Sequence, residues 1–269
     1  MPESEKWVII TGASSGIGKA LAFEFAKNGF NIFLTARNEN ALVQISEECQ
    51  RDFKAKTEVF SANLANSDSA DNLIEAISNR RFDILVNNAG FGVKGEFAET
   101  NIADELKMLD VQLAAMLKLT KAVLPKMIEK RSGKILNVAS VYSFAPVPMQ
   151  SVYGASKAFI LNFSASLQNE MQSQNIQVSV LCPGITQTEF RVRAGITDKK
   201  NSGMTAEKVA EIAVRETMRG KFLIVSGWQN RIFVYMAKHL PADLLAAVMR
   251  FINNRRGVNP NSEKSQKNI

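Results

Sequence analysis

Short apolar, β-branched runs alternate with amphipathic stretches along most of the chain. Seven runs predict buried strands, and they are Trp7–Thr11, Asn31–Thr35, Thr57–Ser61, Asp83–Val86, Lys134–Val138, Gln177–Leu181 and Phe222–Val225. Helical spacing separates them, as in Lys19–Asn28, where Leu21 and Phe25 share one face. Because parallel strands need crossover helices, this alternation predicts an α/β fold, a doubly wound parallel sheet of about seven strands with helices on both faces.

One domain accounts for the alternating part of the chain, and a helical extension follows it. We expect the domain to span residues 1–226 and the extension to span residues 227–256. Within the extension, Asn230–His239 and Ala242–Asn254 predict two helices separated by a proline, which suits a first helical turn. Residues 257–269 are polar without an apolar period and are predicted to be disordered.

Composition narrows the class of protein. Of the 269 residues, 46% are hydrophobic and 22% are charged, which excludes disordered and fibrous classes. No apolar run reaches the ~18 residues of a membrane span and the first residues lack a signal-peptide layout, so a cytoplasmic location is expected. Two cysteines, Cys49 and Cys182, and the single His239 argue against a disulfide framework, a metal site or a histidine-based triad.

The net charge of +7 is concentrated in the last quarter of the chain. Residues 1–198 carry 20 Lys and Arg against 21 Asp and Glu, whereas residues 199–269 carry 13 against 5. The body is therefore close to neutral, and nucleic-acid binding is disfavoured. Two interpretations of the extension stay open: its helices contact a membrane surface peripherally, or they cap a pocket or a subunit contact. Its apolar stripes are Ile232, Met236 and Leu240, then Leu244 or Leu245, Val248 and Ile252.

A glycine-rich turn follows the first predicted strand and leads directly into a helix. The turn reads Thr11-Gly12-Ala13-Ser14-Ser15-Gly16-Ile17-Gly18. Backbone N–H groups and the helix dipole at such a junction bind phosphate, and glycine lets the ligand approach. The order strand, glycine turn, helix indicates a Rossmann-type dinucleotide site. The spacing differs from G-x-G-x-x-G, and a tight structural loop is the alternative.

The end of the second strand favours NADP(H) over NAD(H). An acidic residue there would bind the ribose 2′-OH of NAD, whereas an arginine accommodates a 2′-phosphate. The chain reads Ala36-Arg37-Asn38, so no carboxylate is present and Arg37 offers a planar cationic fork. The alternative is that Arg37 is a solvated loop residue.

Polar motifs also follow the later strands. Ser140 comes after the fifth strand, and Tyr153 stands 13 residues later, with Lys157 on the same helical face. Asn87-Asn88-Ala89-Gly90 follows the fourth strand and Pro183-Gly184 follows the sixth. Ligands of open α/β sheets bind at this edge. A Tyr-x-x-x-Lys pair alone is common by chance, but the ordered set of motifs is specific.

With these motifs in this order, residues 6–226 resemble NADP-preferring members of the short-chain dehydrogenase/reductase family. The resemblance implies hydride transfer between NADP(H) and a small-molecule carbonyl or alcohol, catalysed by Ser140, Tyr153 and Lys157, with no metal. It further implies a homodimer or homotetramer, paired through helices that carry Ala114, Leu117 and Phe159. The implied cofactor site comprises Gly12, Ser14, Ser15, Gly16, Ile17, Gly18, Arg37, Asn63, Leu64, Asn87, Ala89, Gly90, Tyr153, Lys157, Pro183, Gly184, Thr186 and Thr188.

The residue types suit this chemistry. Tyr153 can donate a proton to a carbonyl oxygen, Lys157 is expected to lower the phenol pKa and bind the nicotinamide ribose, and Ser140 can hold the substrate oxygen. Two positions depart from the family's pattern. Gln112 stands where an asparagine usually supports a proton relay, and Asn63 stands where an aspartate commonly contacts adenine.

Apolar residues near these motifs predict a lipophilic substrate, with a substrate loop at about residues 185–205. The candidates for the pocket wall are Phe91, Val93, Tyr142, Phe144, Val147, Met149 and Phe190. The leading hypothesis is an NADPH-dependent carbonyl reductase, or an alcohol dehydrogenase in the reverse direction. The alternative is a catalytically weak NADP-binding protein that acts through its basic C-terminal helices on a partner or a membrane surface.

Overall fold

Seven parallel strands form the central sheet in the computed structural model, which describes residues 5–188 and 203–255. The strands are β1 Trp7–Thr11, β2 Asn31–Ala36, β3 Thr57–Ser61, β4 Ile84–Asn87, β5 Gly133–Val138, β6 Ile176–Cys182 and β9 Leu223–Val225, and the short pair β7 Thr186–Gln187 and β8 Met204–Thr205 stands apart. The sheet order is β3-β2-β1-β4-β5-β6-β9. The predicted α/β class and all seven strands are confirmed, with strand ends that differ by at most one residue.

Helices cross between the strands on both sides of this sheet, and two further helices follow the last strand. They are α1 Gly16–Lys27, α2 Glu39–Phe53, α3 Ser67–Ser78, α4 Ile102–Leu109, α5 Ala115–Lys130, α6 Ser151–Met171, α7 Ala206–Met218, α8 Trp228–His239 and α9 Ala242–Arg255. A π-helical turn, Asp110–Ala114, joins α4 to α5, and a 3₁₀ turn, Val141–Phe144, follows β5. None of the described helices is long and apolar enough to span a bilayer.

Each strand is apolar along its length because both faces of the sheet are covered. In β1, Val8 and Ile10 pack into one core cluster with Leu21 and Phe25 of α1, and α7 belongs to the same layer. Ile9 points the other way, into a second cluster formed with α3, α5 and α6. This two-sided burial is why the strands show continuous apolar runs rather than alternation.

The strand order creates the place for a ligand. From β1 the chain moves outward through β2 and β3 on one side, and then returns to β4 on the other side. The crossover connections on the two sides of the β1–β4 junction therefore run in opposite directions, and the loops at this junction lie apart. A crevice opens between them at the carboxyl ends of the strands.

The C-terminal helices lie against this crevice. The Asn253 side chain of α9 donates to the Pro148 carbonyl at 2.9 Å, and Lys94 Nζ donates to the Asn253 carbonyl at 3.2 Å. Arg250 forms a 2.7 Å ion pair with Glu96. These contacts hold α9 to the loop after β4, through Lys94 and Glu96, and to the segment before α6, through Pro148. The predicted tail and most of the predicted substrate loop, including Phe190, lie outside the described residues.

Candidate active site

A cavity of about 430 Å³ opens at the carboxyl ends of the central strands. Eighteen of the predicted site residues line it, and they are Gly12, Ser14, Ser15, Gly16, Ile17, Gly18, Arg37, Asn63, Leu64, Ala89, Gly90, Ser140, Tyr153, Lys157, Pro183, Gly184, Thr186 and Thr188. Asn87 and Gln112 do not line it. The motifs read separately along the chain thus converge on one space.

The β1–α1 turn presents an anion-binding helix end to this cavity. Ser15 precedes α1 without capping it through its side chain, and the first turn contains no acidic residue, so the first N–H groups remain available to an anion. Gly18 has no room for a side chain, because a Cβ there would overlap the Gly12 carbonyl oxygen and the Asn88 amide. This turn fits the pyrophosphate of a dinucleotide.

Asn88, which was not among the predicted site residues, holds the glycine turn in place. Its side-chain amide donates to the carbonyls of Thr11 at 2.9 Å and Gly12 at 3.2 Å. Its backbone N–H donates to Thr11 Oγ1 at 2.9 Å, and the Ala89 N–H donates to the same hydroxyl at 3.0 Å. These bonds fix the end of β4 against the end of β1. Asn88 also lines the cavity.

Asn87 points away from the cavity into the protein interior. Its side-chain amide donates to Asn137 Oδ1 at 2.9 Å and to Thr120 Oγ1 at 3.2 Å, and Asn137 in turn donates to Ser164 at 2.9 Å. The network joins β4, β5, α5 and α6. Asn87 therefore ties the sheet to its helices, and its neighbour Asn88 lines the cavity.

Gln112 lies behind the cavity wall, in the π-helical turn between α4 and α5. The side chain is 2% exposed, and its amide donates to the Phe91 carbonyl at 2.8 Å. Gly90 packs against the Gln112 side chain. Gln112 thus supports the segment Gly90–Phe91 from behind, whereas its Oε1 has no hydrogen-bond partner among the described residues.

Ser140, Tyr153 and Lys157 are buried at the inner end of the cavity. Ser140 lies two residues after β5 and caps the 3₁₀ turn by accepting from the Tyr142 N–H at 3.2 Å. Tyr153 lies in the first turn of α6, edge-on to Tyr142, with 6.3 Å between ring centroids. Lys157 is one turn further along α6, its Nζ 5.5 Å from the Tyr153 ring centroid and 3.1 Å from the Val138 carbonyl that it donates to.

Burial dominates the ionisation of this cluster. It raises the pKa of Tyr153, an effect that the hydrogen bond with the Ser140 side chain opposes. Burial also lowers the pKa of Lys157 to about 7. The sequence predicted that Lys157 lowers the Tyr153 pKa. Burial instead raises it, because removal from water destabilises the charged form of both groups. Near pH 7 the Tyr153 phenol is therefore protonated, and the Lys157 amine is about half protonated.

The wall at the substrate end comes largely from residues that motif reasoning missed. Phe91 and Tyr142 line the cavity as predicted, whereas Val93, Phe144, Val147 and Met149 do not. Lining residues that the motifs did not indicate include Lys94, Asn230, Phe233, Met249, Ile252 and Asn253. Five of these six belong to α8 and α9, and the apolar stripes of these helices are the sequence feature that could have indicated them.

The cysteines lie outside this chemistry. Cys49 and Cys182 are buried free thiols, and burial raises the pKa of each to about 12, so neither is a reactive thiolate at neutral pH. Among the described residues, no group of three His, Cys, Asp or Glu side chains could hold a metal ion. His239 is exposed, and its ring packs at a tilt against Tyr235, with 4.6 Å between the ring centroids.

Comparison with known proteins identifies relatives. The profile of the short chain dehydrogenase family matches residues 6–199. Hydroxysteroid dehydrogenase-like protein 1 of Gallus gallus is 33% identical over 240 residues, which cover 88% of this chain and 72% of that protein. Sulfoacetaldehyde reductase 2 of Chromohalobacter salexigens is 37% identical over 217 residues, 76% of this chain and 85% of that protein.

A solved structure shares the whole architecture. The short-chain dehydrogenase from Sphingobium yanoikuyae, determined in complex with NADPH, is 27% identical and superposes with a TM-score of 0.80. The match covers 95% of this chain and 97% of that one. The similarity therefore includes the sheet, the crevice and the C-terminal part of the chain.

The burial of Lys157 predicts a stability cost. Between its folded pKa of about 7 and its ordinary value of 10.5, the unfolded chain binds more protons than the folded one, so stability rises with pH across this window. Lys157→Met removes the amine and keeps the length of the side chain. We expect the variant to be more stable than the parent at pH 7 by about 1–4 kcal/mol, with a difference that shrinks towards about pH 10.

Urea unfolding at several pH values measures this difference. Lys27→Met, at an exposed position in the last turn of α1, is the control and should show no such pH-dependent gain. A Lys157→Met variant that is destabilised equally at neutral and alkaline pH would contradict the prediction.

Proposed function

The chain belongs to the short-chain dehydrogenase family, and on that premise we propose that it is an NADP(H)-dependent oxidoreductase that interconverts a lipophilic carbonyl compound and its alcohol. One observation carries the proposal: Ser140, Tyr153 and Lys157 line the same cavity as the glycine turn. A phosphate-binding helix end and a proton donor beside a hydroxyl thus share one space, as hydride transfer between a dinucleotide and a carbonyl requires.

The charges around the cavity favour the phosphorylated dinucleotide. No Asp or Glu occurs among the described lining residues, whereas Arg37 lines the cavity at the end of β2. Asn63 also lines the cavity and accepts a 3.2 Å bond from the Ala65 N–H, so an uncharged amide stands where the family commonly has an aspartate against adenine. The NADPH complex of the Sphingobium yanoikuyae relative supports the same assignment.

Proton transfer is the part of the reaction that the chain itself supplies. When bound, NADPH provides the hydride and NADP⁺ accepts it. Tyr153 is the general acid in reduction: its raised pKa keeps the phenol protonated at neutral pH, and its hydroxyl proton passes to the carbonyl oxygen as the carbon is reduced. In alcohol oxidation the same oxygen takes the proton back, a direction that rising pH favours.

Ser140 and Lys157 support that transfer in different ways. The Ser140 oxygen accepts from the Tyr142 N–H, and its hydroxyl also hydrogen-bonds Tyr153, so a substrate oxygen placed between the two hydroxyls would bind both. Lys157 keeps further donor capacity beyond its bond to Val138, sufficient for the nicotinamide ribose hydroxyls. When protonated, its charge stabilises the phenolate that reduction leaves on Tyr153.

The apolar lining indicates a lipophilic substrate. Phe91, Tyr142 and Phe233 line the cavity together with Met249 and Ile252. The names of the relatives do not decide the substrate class, because one is hydroxysteroid dehydrogenase-like and the other reduces sulfoacetaldehyde, a small anion. Lys94, a cation on the described part of this wall, donates to the Asn253 carbonyl near the end of α9. A carbonyl screen should therefore compare lipophilic ketones and aldehydes with small anionic aldehydes, and we expect the lipophilic compounds to be reduced faster.

Replacing the proposed acid tests the mechanism. Tyr153→Phe removes the hydroxyl with little change in shape, so we expect kcat for the best substrate of the screen to fall by about 10²–10⁴-fold while NADPH binding persists. Tyr142→Phe is the matched control, because Tyr142 lines the same cavity edge-on to Tyr153, and it should lose less than about tenfold.

The outcomes separate the two hypotheses. If turnover survives in Tyr153→Phe, the proposed acid is wrong. If the parent protein binds NADPH but reduces nothing in the screen, the alternative of a catalytically weak NADP-binding protein is favoured.

Arg37 predicts the cofactor preference. Arg37→Gln removes the charge that we assign to the 2′-phosphate, so the Kd for NADPH should rise about tenfold or more (~1.4 kcal/mol) while the Kd for NADH stays within about twofold. Parallel titrations that follow cofactor fluorescence measure both constants. Arg51→Gln, outside the cavity and paired with Asp52, is the control. Equal weakening of both cofactors would show that Arg37 does not bind the phosphate.

A further inference from the structure

Helix α8 exposes large hydrophobic side chains on the face that points away from the body. Trp228, Ile232, Tyr235 and Met236 are 69%, 51%, 68% and 50% exposed, and their spacing places them on one side of the helix. The opposite side is buried through Val234 and Ala237. The helix is therefore apolar on two faces, only one of which packs against the protein.

Helix α9 repeats this arrangement. Leu244 and Val248 are 49% and 45% exposed, whereas Leu245 and Met249 are 6% and 2% exposed. Of the 14 large hydrophobic residues exposed in the described chain, seven belong to these two helices, although the helices form only about a tenth of it. Such a concentration marks an interaction surface, since scattered apolar residues would be spread evenly.

The charge of the same segment is positive. Residues 227–255 contain Arg231, Lys238, Arg250 and Arg255 against a single acidic residue, Asp243, and of these cations Arg250 is paired with Glu96 of the loop after β4. Arg231 and Lys238 are exposed on α8, and Lys238 Nζ lies 5.4 Å from the Phe144 ring centroid. Cations thus accompany the exposed apolar stripe.

We propose that the outer faces of α8 and α9 bind an anionic membrane surface. This combination suits the boundary between lipid headgroups and acyl chains. Apolar and aromatic side chains enter the apolar layer there, and Lys and Arg pair with the lipid phosphates. A second copy of the chain fits less well, because a symmetric contact would bring like charges together. A nucleic acid would leave the apolar stripe unburied.

The placement also bears on substrate access. The inner sides of the same helices line the cavity through Phe233, Met249 and Ile252. A membrane bound to the outer sides would therefore lie close to the substrate end, and a lipophilic compound could move from the bilayer towards Tyr153. This consequence rests on the proposed function, whereas membrane binding itself does not.

Tryptophan fluorescence reports the contact directly. The chain has two tryptophans, so Trp7→Phe leaves Trp228 as the sole emitter. On addition of phosphatidylcholine vesicles that contain phosphatidylglycerol, we expect a blue shift of Trp228 emission and co-sedimentation of the protein. Vesicles of phosphatidylcholine alone, or high salt, should give much weaker binding.

Matched variants assign the binding to the helices. Met236→Gln should weaken vesicle binding about tenfold and Lys238→Gln about fivefold. Met218→Gln on α7, at a 41% exposed methionine, and Lys27→Gln on α1 are the controls and should bind like the parent. An unchanged NADPH titration confirms that each variant is folded.

Three results would overturn the proposal. The first is equal binding to neutral and anionic vesicles, and the second is an equal effect of the variants and their controls. The third is a change in the sedimentation of lipid-free protein in Met236→Gln, which would identify the surface as a subunit contact. None of these results depends on turnover, so they leave the proposed activity to its own test.

Discussion

The close packing of the β1–α1 turn against the end of β4 is the contact on which the rest of the site depends. Asn88 and the Thr11 hydroxyl join the two segments by hydrogen bonds, and Gly18 allows the helix to start without displacing the Gly12 carbonyl. Because this contact lies where the strand order reverses, it sets both the direction of the free N–H groups of α1 and the width of the crevice. The other loops of the site lie around this contact and line the same cavity.

Burial is the second constraint, and it links stability to chemistry. The interior position that orders Tyr153 and Lys157 raises the pKa of the phenol and lowers that of the amine. An acid that stays protonated at neutral pH suits carbonyl reduction. A buried amine lowers the stability of the fold, because burial destabilises its protonated form. The Asn87 network and Gln112 behind the wall hold the loops that keep water from this cluster.

The C-terminal helices α8 and α9 line the cavity on one side and are exposed on the other. Their inner sides close the substrate end of the cavity, and the bonds among Lys94, Asn253 and Pro148 hold α9 in that position. Their outer sides expose apolar and cationic residues together. One short segment can thus form the substrate wall and, on our proposal, a membrane contact, which would couple substrate selection to the location of the protein.

The sequence by itself determined the fold class and the set of motifs that meet at the cavity, because strands buried on both faces leave continuous apolar runs and a phosphate turn needs glycine at particular positions. Only the tertiary structure decided which of the neighbours Asn87 and Asn88 faces the ligand, since successive residues at a strand end point in opposite directions and packing selects between them. The same holds for Gln112, whose partner Phe91 is 21 residues away, and for Lys94, whose partner Asn253 is 159 residues away. In α8 and α9, periodicity predicted apolar stripes, but which stripe is buried depends on what the rest of the chain places beside it.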